Sequence, residues 1–418
     1  VPNDAASTAP QPSGFAALHV RDFSLIAFGS SFILTIAILM QEMALALALY
    51  ELTGDPLMLG LVGLAEAIPF LVVALFGGAL ADRWPRKRIA LIAIAMILLG
   101  SLVLELCMQA TDQLSRSTLL WLVFLTLAWL GFARGFLSPA LSSLRIELTP
   151  KPLYANASAW STHLWQTGAI VGPVAGAFAY DLIGLRGTLW FVIALVVMSL
   201  LCISLVTNTK PQANSRGESV FTSIREGFRF VLQSRLLLYS ITLDLVAVLF
   251  GGVIAILPAF AKDVLELGPQ YVGWLRAAPA IGAVVMLSVL TRYSPTGRLW
   301  RNMLFAVFGF GFSTLGFALA RDFWLCLAML FLTGVFDSIS VVIRQYLLQV
   351  VPPEHLRGRV LSVNSLFVTS SNELGGFVAG SSAKAFGVER SIIAGGILTL
   401  LAGTWAYLKG RDLLKLKL

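Results

Sequence analysis

Five carboxylates stand where this sequence otherwise places hydrocarbon. Glu42, Glu66, Asp244, Asp337 and Glu373 each interrupt a long apolar run. An ionisable group inside a bilayer is costly, and where it persists it marks a path for ions or substrate. Glu373 closes the most polar stretch of its run, Thr369-Ser370-Ser371-Asn372-Glu373. A face like that needs water or substrate beside it. Glu373 and Asp337 fall near mid-run, where alternate exposure to water would let a carboxyl load and release a proton. Ser31, Thr35 and Glu42 share one helical face, as do Thr333, Asp337 and Arg344. The expected proton-coupling set is therefore Glu373, Asp337, Glu42 and Asp244, with Arg134 and Arg344 as counter-charges. Two alternatives stay open: Asp244, near an inner end, is equally explained by solvation, and Arg134 by a structural ion pair. Glu105, at an outer end, is expected to be solvated.

A second group suits an amphipathic ligand. His163 and Gln166 lie one turn apart, with Trp160 and Trp165 beside them, and polar groups among aromatics are the usual lining of a ligand pocket. Helix-packing aromatics around a satisfied histidine are the plainer alternative. With Arg134, Asn372 and Thr369, these residues make up the candidate substrate cavity. Other chemistries find little support. Cys107, Cys202 and Cys326 are scattered within apolar runs, and His19, His163 and His355 are far apart, so no disulfide framework, metal site or cofactor is expected. Gly309-x-Gly311 lacks the strand–turn–helix setting of a nucleotide loop. No nucleophile stands at usable spacing from a base, so the chain is not expected to be an enzyme.

The elements that must position these residues follow from composition. Of 418 residues 57% are hydrophobic and 12% charged, against about 45–50% and about 25% in soluble domains. Apolar runs long enough to span a bilayer occur at 23–50, 57–81, 89–109, 118–141, 157–180, 187–206, 236–261, 270–291, 302–320, 323–349, 360–387 and 391–409. The expected fold is an all-α membrane protein of twelve transmembrane helices. Strands of a spanning barrel would alternate over about ten residues, which these runs do not. An even number of spans puts both termini on one side. Of the 30 Lys and Arg, twenty-one fall on that side, six opposite and three within spans. By the positive-inside rule the termini are cytoplasmic. The net charge of +8 thus reflects topology, and no nucleic-acid partner is expected.

The organisation expected is a disordered cytoplasmic tail at 1–20, a six-helix half at 21–206, a cytoplasmic linker at 207–235, a second six-helix half at 236–410 and a tail at 411–418. The opening residues lack the basic start and cleavage pattern of a signal peptide. Within the linker, Val220, Phe221, Ile224, Phe228, Val231 and Leu232 recur at helical spacing among Arg225, Arg229 and Arg235. This predicts an amphipathic helix, lying on the inner leaflet or serving as an ordinary connector. The halves read as repeats: Gly172-Pro173-Val174-Ala175-Gly176 in span five resembles Gly376-Phe377-Val378-Ala379-Gly380 in span eleven. Paired six-helix halves with a site near the midplane between them are a transporter arrangement.

Two motifs carry a resemblance to the major facilitator superfamily. Gly78-Ala79-Leu80-Ala81-Asp82-Arg83-Trp84-Pro85-Arg86-Lys87 is similar to its loop motif between spans two and three, with Pro85 where the usual motif has glycine. Gly168, Gly172, Pro173 and Gly176 resemble the span-five motif of its proton-coupled exporters. A closer resemblance is to the branch of the enterobactin exporter and macrolide efflux proteins, carried by Glu226-Gly227-Phe228-Arg229-Phe230 and by Leu257 to Asp263. The resemblance implies two pseudo-repeated six-helix halves. It implies a latch in which Gly78 permits close approach and Asp82 caps the free N–H groups at the start of span eleven. Arg83, Arg86 and Lys87 would bind carboxylates, helix C-termini and lipid phosphates; the plainer alternative is that the cluster only sets topology. The glycines, four apart on one face, would make a tight contact between halves, with Pro173 inviting a kink; generic helix packing is the plainer alternative.

The function expected is a secondary active transporter in a bacterial inner membrane. It would export a small amphipathic molecule, drug-like or siderophore, by alternating access with proton antiport. Its partners would be that substrate, protons and membrane lipids, and it would act as a monomer. The alternatives are a lipid or lysolipid translocator of the same fold, and a membrane sensor or scaffold without transport. The loop motif together with mid-span acids favours transport.

Overall fold

The structure, a computed structural model, describes residues 14–81, 84–110, 113–207, 220–293 and 298–415. For 74–81, 220–224, 369, 373 and 415 within these ranges it describes the backbone alone. Ten helical segments among the described residues are long and apolar enough to cross a membrane. One of them, Lys151–Ser204, holds two spans. Its helix Tyr154–Ser204 is interrupted at Gly184, where φ is 69° and ψ 179°, a left-handed conformation that favours glycine. The twelfth span is Glu354–Phe386, whose 33 residues extend about 50 Å but carry the polar run at 369–373. The protein is therefore an all-α, multi-pass membrane protein of twelve spans.

In chain order the spans are one (Arg21–Thr53), two (Pro56–Ala81), three (Arg86–Gln109), four (Arg116–Leu148), and five and six on either side of Gly184. Then follow seven (Arg235–Asp263), eight (Pro269–Leu290), nine (Leu299–Leu319), ten (Phe323–Val350), eleven (Glu354–Phe386) and twelve (Val388–Lys409). Two spans depart from the plain helices that their apolar runs suggest. Span one is π-helical over Ala27–Leu34. Span seven stops at Gly251, makes a 3-10 turn over Val253–Ile256 and resumes at Leu257–Asp263. The Gly251-Gly252 pair ends the first helix, and Pro258 fits the first turn of the second.

Small residues set the packing, because lipid gives helices no hydrophobic reason to associate and close backbone contact must do so. The two halves use matching contacts. Gly131 of span four lies on the Glu66 backbone of span two, where an added Cβ would come within 2.0 Å of the carbonyl oxygen. Gly334 of span ten lies the same way on Pro279 of span eight, at 1.9 Å. One apolar core fills the first half and another the second. A third joins them, with Met43, Leu47 and Leu59 from the first half against Phe260, Leu275 and Phe317 from the second.

Two terminal features extend the sequence-based outline. Residues 14–20, assigned to the tail, fold onto span five: Gly14 O accepts bonds from Asn156 Nδ2 (2.7 Å) and Trp160 Nε1 (2.9 Å), and Ala16–His19 form a 3-10 turn. The linker contains a helix, Val220–Gln233. It docks on span eleven through Gly227 against the Arg359 backbone, a stack of Phe228 on Phe367 and an ion pair of Glu226 with Arg359. Leu232 points away, 51% exposed.

Candidate functional site

The two halves meet at one end of the molecule and part at the other. At the face opposite the termini, span two packs on span eleven, and Gly380 lies against Pro56 and Gly60. Span five packs on span eight, with Gly273 against Pro173, Val174 and Ala177. Polar ties close the same face: Tyr50 donates to Asp263, and Lys384 Nζ lies 2.5 Å from Asp55 Oδ2. Toward the termini the same spans separate. Ser158, Thr162, His163 and Trp165 of span five are exposed, as are Val285, Ser288 and Val289 of span eight. The result is a cleft between the halves, closed at the far face and open at the face that bears the termini.

Charges cluster where the cleft ends. Glu42 of span one meets Arg276 of span eight at 2.5 Å, an ion pair across the two halves. Glu66 of span two pairs with Arg134 of span four in the first half. Arg134, Glu66 and Gln41 also line a small internal cavity, and Gln41 Oε1 accepts from Ser101 at 2.6 Å. Two carboxylates and two guanidiniums thus balance, which makes their burial tolerable.

The second half carries its own group. Asp244 of span seven pairs with Arg344 of span ten, and both side chains are buried. Asp337, two turns before Arg344 in span ten, is half-buried. Solvation, the plain alternative for Asp244, does not hold. Glu105 is likewise not solvated: it is buried, accepts from Gln109 at 2.7 Å and pairs with Arg186 at 3.3 Å. Glu105 lies in the last turns of span three and Asp244 in the middle of the helix Arg235–Gly251, and neighbouring spans cover both.

Other expected site residues fall as follows. His163 is exposed on the cleft half of span five, its ring edge-on to Trp160 at 6.4 Å, and Gln166 is half-buried. Asn372 is exposed, one turn before Gly376 of the span-two contact. The side chains of Glu373 and Thr369, and the residues Asp82 and Arg83, lie outside the described residues. Gly78 falls on backbone described as helix. Arg86 pairs with Glu147 of span four at 3.4 Å. Lys87 Nζ donates to the carbonyls of Ser204 (2.7 Å) and Val206 (2.6 Å). These lie at the C-terminus of span six, the negative end of its dipole.

The span-five glycines require a correction. Gly168 faces Thr35 of span one, Gly172 faces Leu39 and Ile36, and Gly176 faces Met40. All three join spans within the first half. The contact between halves uses the neighbouring face, Pro173 O, Val174 and Ala177, on which Gly273 rests. A step of one residue turns a helix by about 100°, so a proline adjoining a glycine stripe looks toward a different partner.

Arg276 had no role in the sequence-based site. Its signal was present, as one of three cations inside spans, but nothing local tied it to Glu42, 234 residues away.

Comparisons with known proteins agree with this architecture. The multidrug efflux pump Tap of Mycolicibacterium fortuitum is 27% identical over 371 residues, covering 84% of this chain and 87% of the relative. The enterobactin exporter EntS of Shigella flexneri is 25% identical over 380 residues, covering 90% and 88%. The solved nucleoside transporter NupG superposes with a TM-score of 0.75 at 14% identity, covering 95% of this chain and all 100% of its own. A bacterial homologue of the lysosomal transporter Spinster, solved inward-facing and unoccupied, gives 0.74 at 15%, covering 95% and 98%. At such identities the structures speak for the fold alone. The family model of the Major Facilitator Superfamily matches residues 24–376. With twelve spans in two matching halves around a charged cleft, this chain belongs to the Major Facilitator Superfamily.

Proposed function

We propose that the protein is a secondary exporter of a small amphipathic molecule, driven by proton antiport. Membership of the superfamily supports transport by alternating access. The observation that carries the finer reading is the cleft itself: open to the face of the termini, closed opposite, with ion pairs at its end. Efflux relatives such as the Tap pump and the enterobactin exporter support the direction. The excess of Lys and Arg on the terminal face makes that face cytoplasmic, so the cleft is open inward. Glu42 is the coupling group that also holds the gate: a proton on its carboxylate cancels the charge that binds Arg276, so loading and opening become one event. Asp337, Asp244 and Glu373 are further carriers. The exposed polar and aromatic groups of span five, His163, Gln166 and Trp165, with Asn372 and Thr369 opposite, form the substrate wall. Asp82 latches the cytoplasmic side in the alternate state.

The test uses inverted membrane vesicles containing the full chain, loaded by an imposed inside-acid gradient, with fluorescent amphipathic dyes as probes. Dye accumulation that an uncoupler abolishes is expected. Glu373→Gln should remove uphill accumulation while leaving downhill exchange. Accumulation no greater than in vesicles lacking the chain refutes the exporter reading. Uncoupler-sensitive accumulation by Glu373→Gln removes that residue from the carriers.

A further inference from the structure

A second cavity lies apart from the charged end of the cleft, at the termini-side ends of spans one, four and five. It measures about 340 Å³, within the lower range of small-molecule sites. Ile146 and the Tyr154 ring supply an apolar lining over the buried Phe23 and Ala157, and the hydroxyls of Tyr154 and Ser158 a polar one. Arg145 is the one charged residue among its lining residues. No carboxylate or carbonyl among the described residues accepts a bond from its guanidinium, and its Nε is shut from solvent without a partner. The nearest acid in sequence, Glu147, is engaged by Arg86. Arg145 also stands in the last turn of span four, where a cation complements the helix dipole.

We infer that this cavity is a binding site for an amphipathic anion, with a phosphate or carboxylate head on Arg145 and an apolar body along Ile146 and the Tyr154 ring. The guanidinium fork binds such heads through two parallel N–H···O bonds. A phosphate or carboxylate would supply the acceptor that no described residue gives the Arg145 Nε. The cavity lies at the end of span four, the depth of lipid headgroups, and beside the open mouth of the cleft. Two sources therefore offer the same chemistry: an anionic phospholipid of that leaflet, and an anionic cargo entering the cleft. The inference concerns binding and stands whether or not the chain exports.

The experiment is thermal unfolding of the purified full chain in a neutral detergent, titrated with octyl phosphate. A saturable stabilisation is expected, with none from octyltrimethylammonium or inorganic phosphate. Arg145→Ala should weaken octyl phosphate binding by roughly 10–100-fold, the value of hydrogen bonds to a charged group. Arg145→Lys should keep part of it, since it retains the charge without the fork. Ser158→Asp places a carboxylate in the cavity and should also abolish the shift; it keeps the inference testable should Arg145→Ala fold poorly. Mass spectrometry of protein released from membranes separates the sources. A phospholipid retained by the wild type and lost from Arg145→Ala assigns the site to lipid. Octyl phosphate binding with no retained lipid assigns it to cargo. An equal octyl phosphate shift in wild type, Arg145→Ala and Ser158→Asp overturns the inference, as does an equal shift from octyltrimethylammonium.

Discussion

Glu42→Gln is the perturbation that bears most directly on how the cleft is held. Glu42 and Arg276 lie 2.5 Å apart, with side chains 31% and 13% exposed, and the tie crosses from one half to the other. Two unit charges about 4 Å apart at an effective dielectric of about 20 attract by roughly 4 kcal/mol. Desolvation and the fixing of two long side chains take back much of that. A net stabilisation of about 1–2 kcal/mol for the closed far face remains. Glutamine keeps an acceptor but loses the charge. The ratio of open to closed far faces should therefore rise roughly 5–30-fold. Pulsed electron-spin distances between labels at Leu182 and Trp324 report it. Both are well exposed on the far face, at 77% and 71%, one in each half. Cys107, Cys202 and Cys326 would first be replaced. A longer-distance population should grow in Glu42→Gln and shrink again in the charge-swapped Glu42→Arg/Arg276→Glu. A distance distribution in Glu42→Gln identical to wild type would refute the reasoning, because the tie would then do nothing to the gate.

Two further outcomes follow from the same packing. Gly273→Leu should lengthen the same Leu182–Trp324 distance, since even a Cβ at this position would lie 2.8 Å from the Ala177 Cβ and 3.0 Å from Pro173 O; an unchanged distance would show that spans five and eight do not hold the far face. Arg344→Leu should lower thermal stability by about 3–5 kcal/mol, because it strands Asp244 as a buried, unpaired charge. Asp244→Leu/Arg344→Leu should recover most of that loss, and a double variant as unstable as the single would remove the pairing argument.

Much of this was legible locally. Hydropathy is a property of a segment and its solvent, so twelve spans and the repeat could be read without any contact between segments. The resumption of span seven after Gly251 was less visible. An apolar run does not reveal a turn inside it, and only the Gly251-Gly252 pair and Pro258 hinted at one. The mid-span acids announced themselves through their cost in hydrocarbon. Which cation each would meet did not.

That division has a physical cause. A sequence states which residues share a face of one helix, because 3.6 residues make a turn whatever surrounds it. It does not state the rotation of that helix against its neighbours. Gly168, Gly172 and Gly176 were recognisable as a close-packing face, but only the assembled bundle turned them to span one and gave the contact between halves to Pro173, Val174 and Ala177. The same holds for charge. Arg276 and Glu42 are separated by most of the chain, and their pairing depends on which ends of spans one and eight come together when the far face closes. The sequence alone determined the kind of solvent, the number of crossings and the places where charge must be answered. Tertiary structure alone decided the answer at each place, since rotation, depth and the closing of one face are set by backbone contacts between helices that no single segment contains.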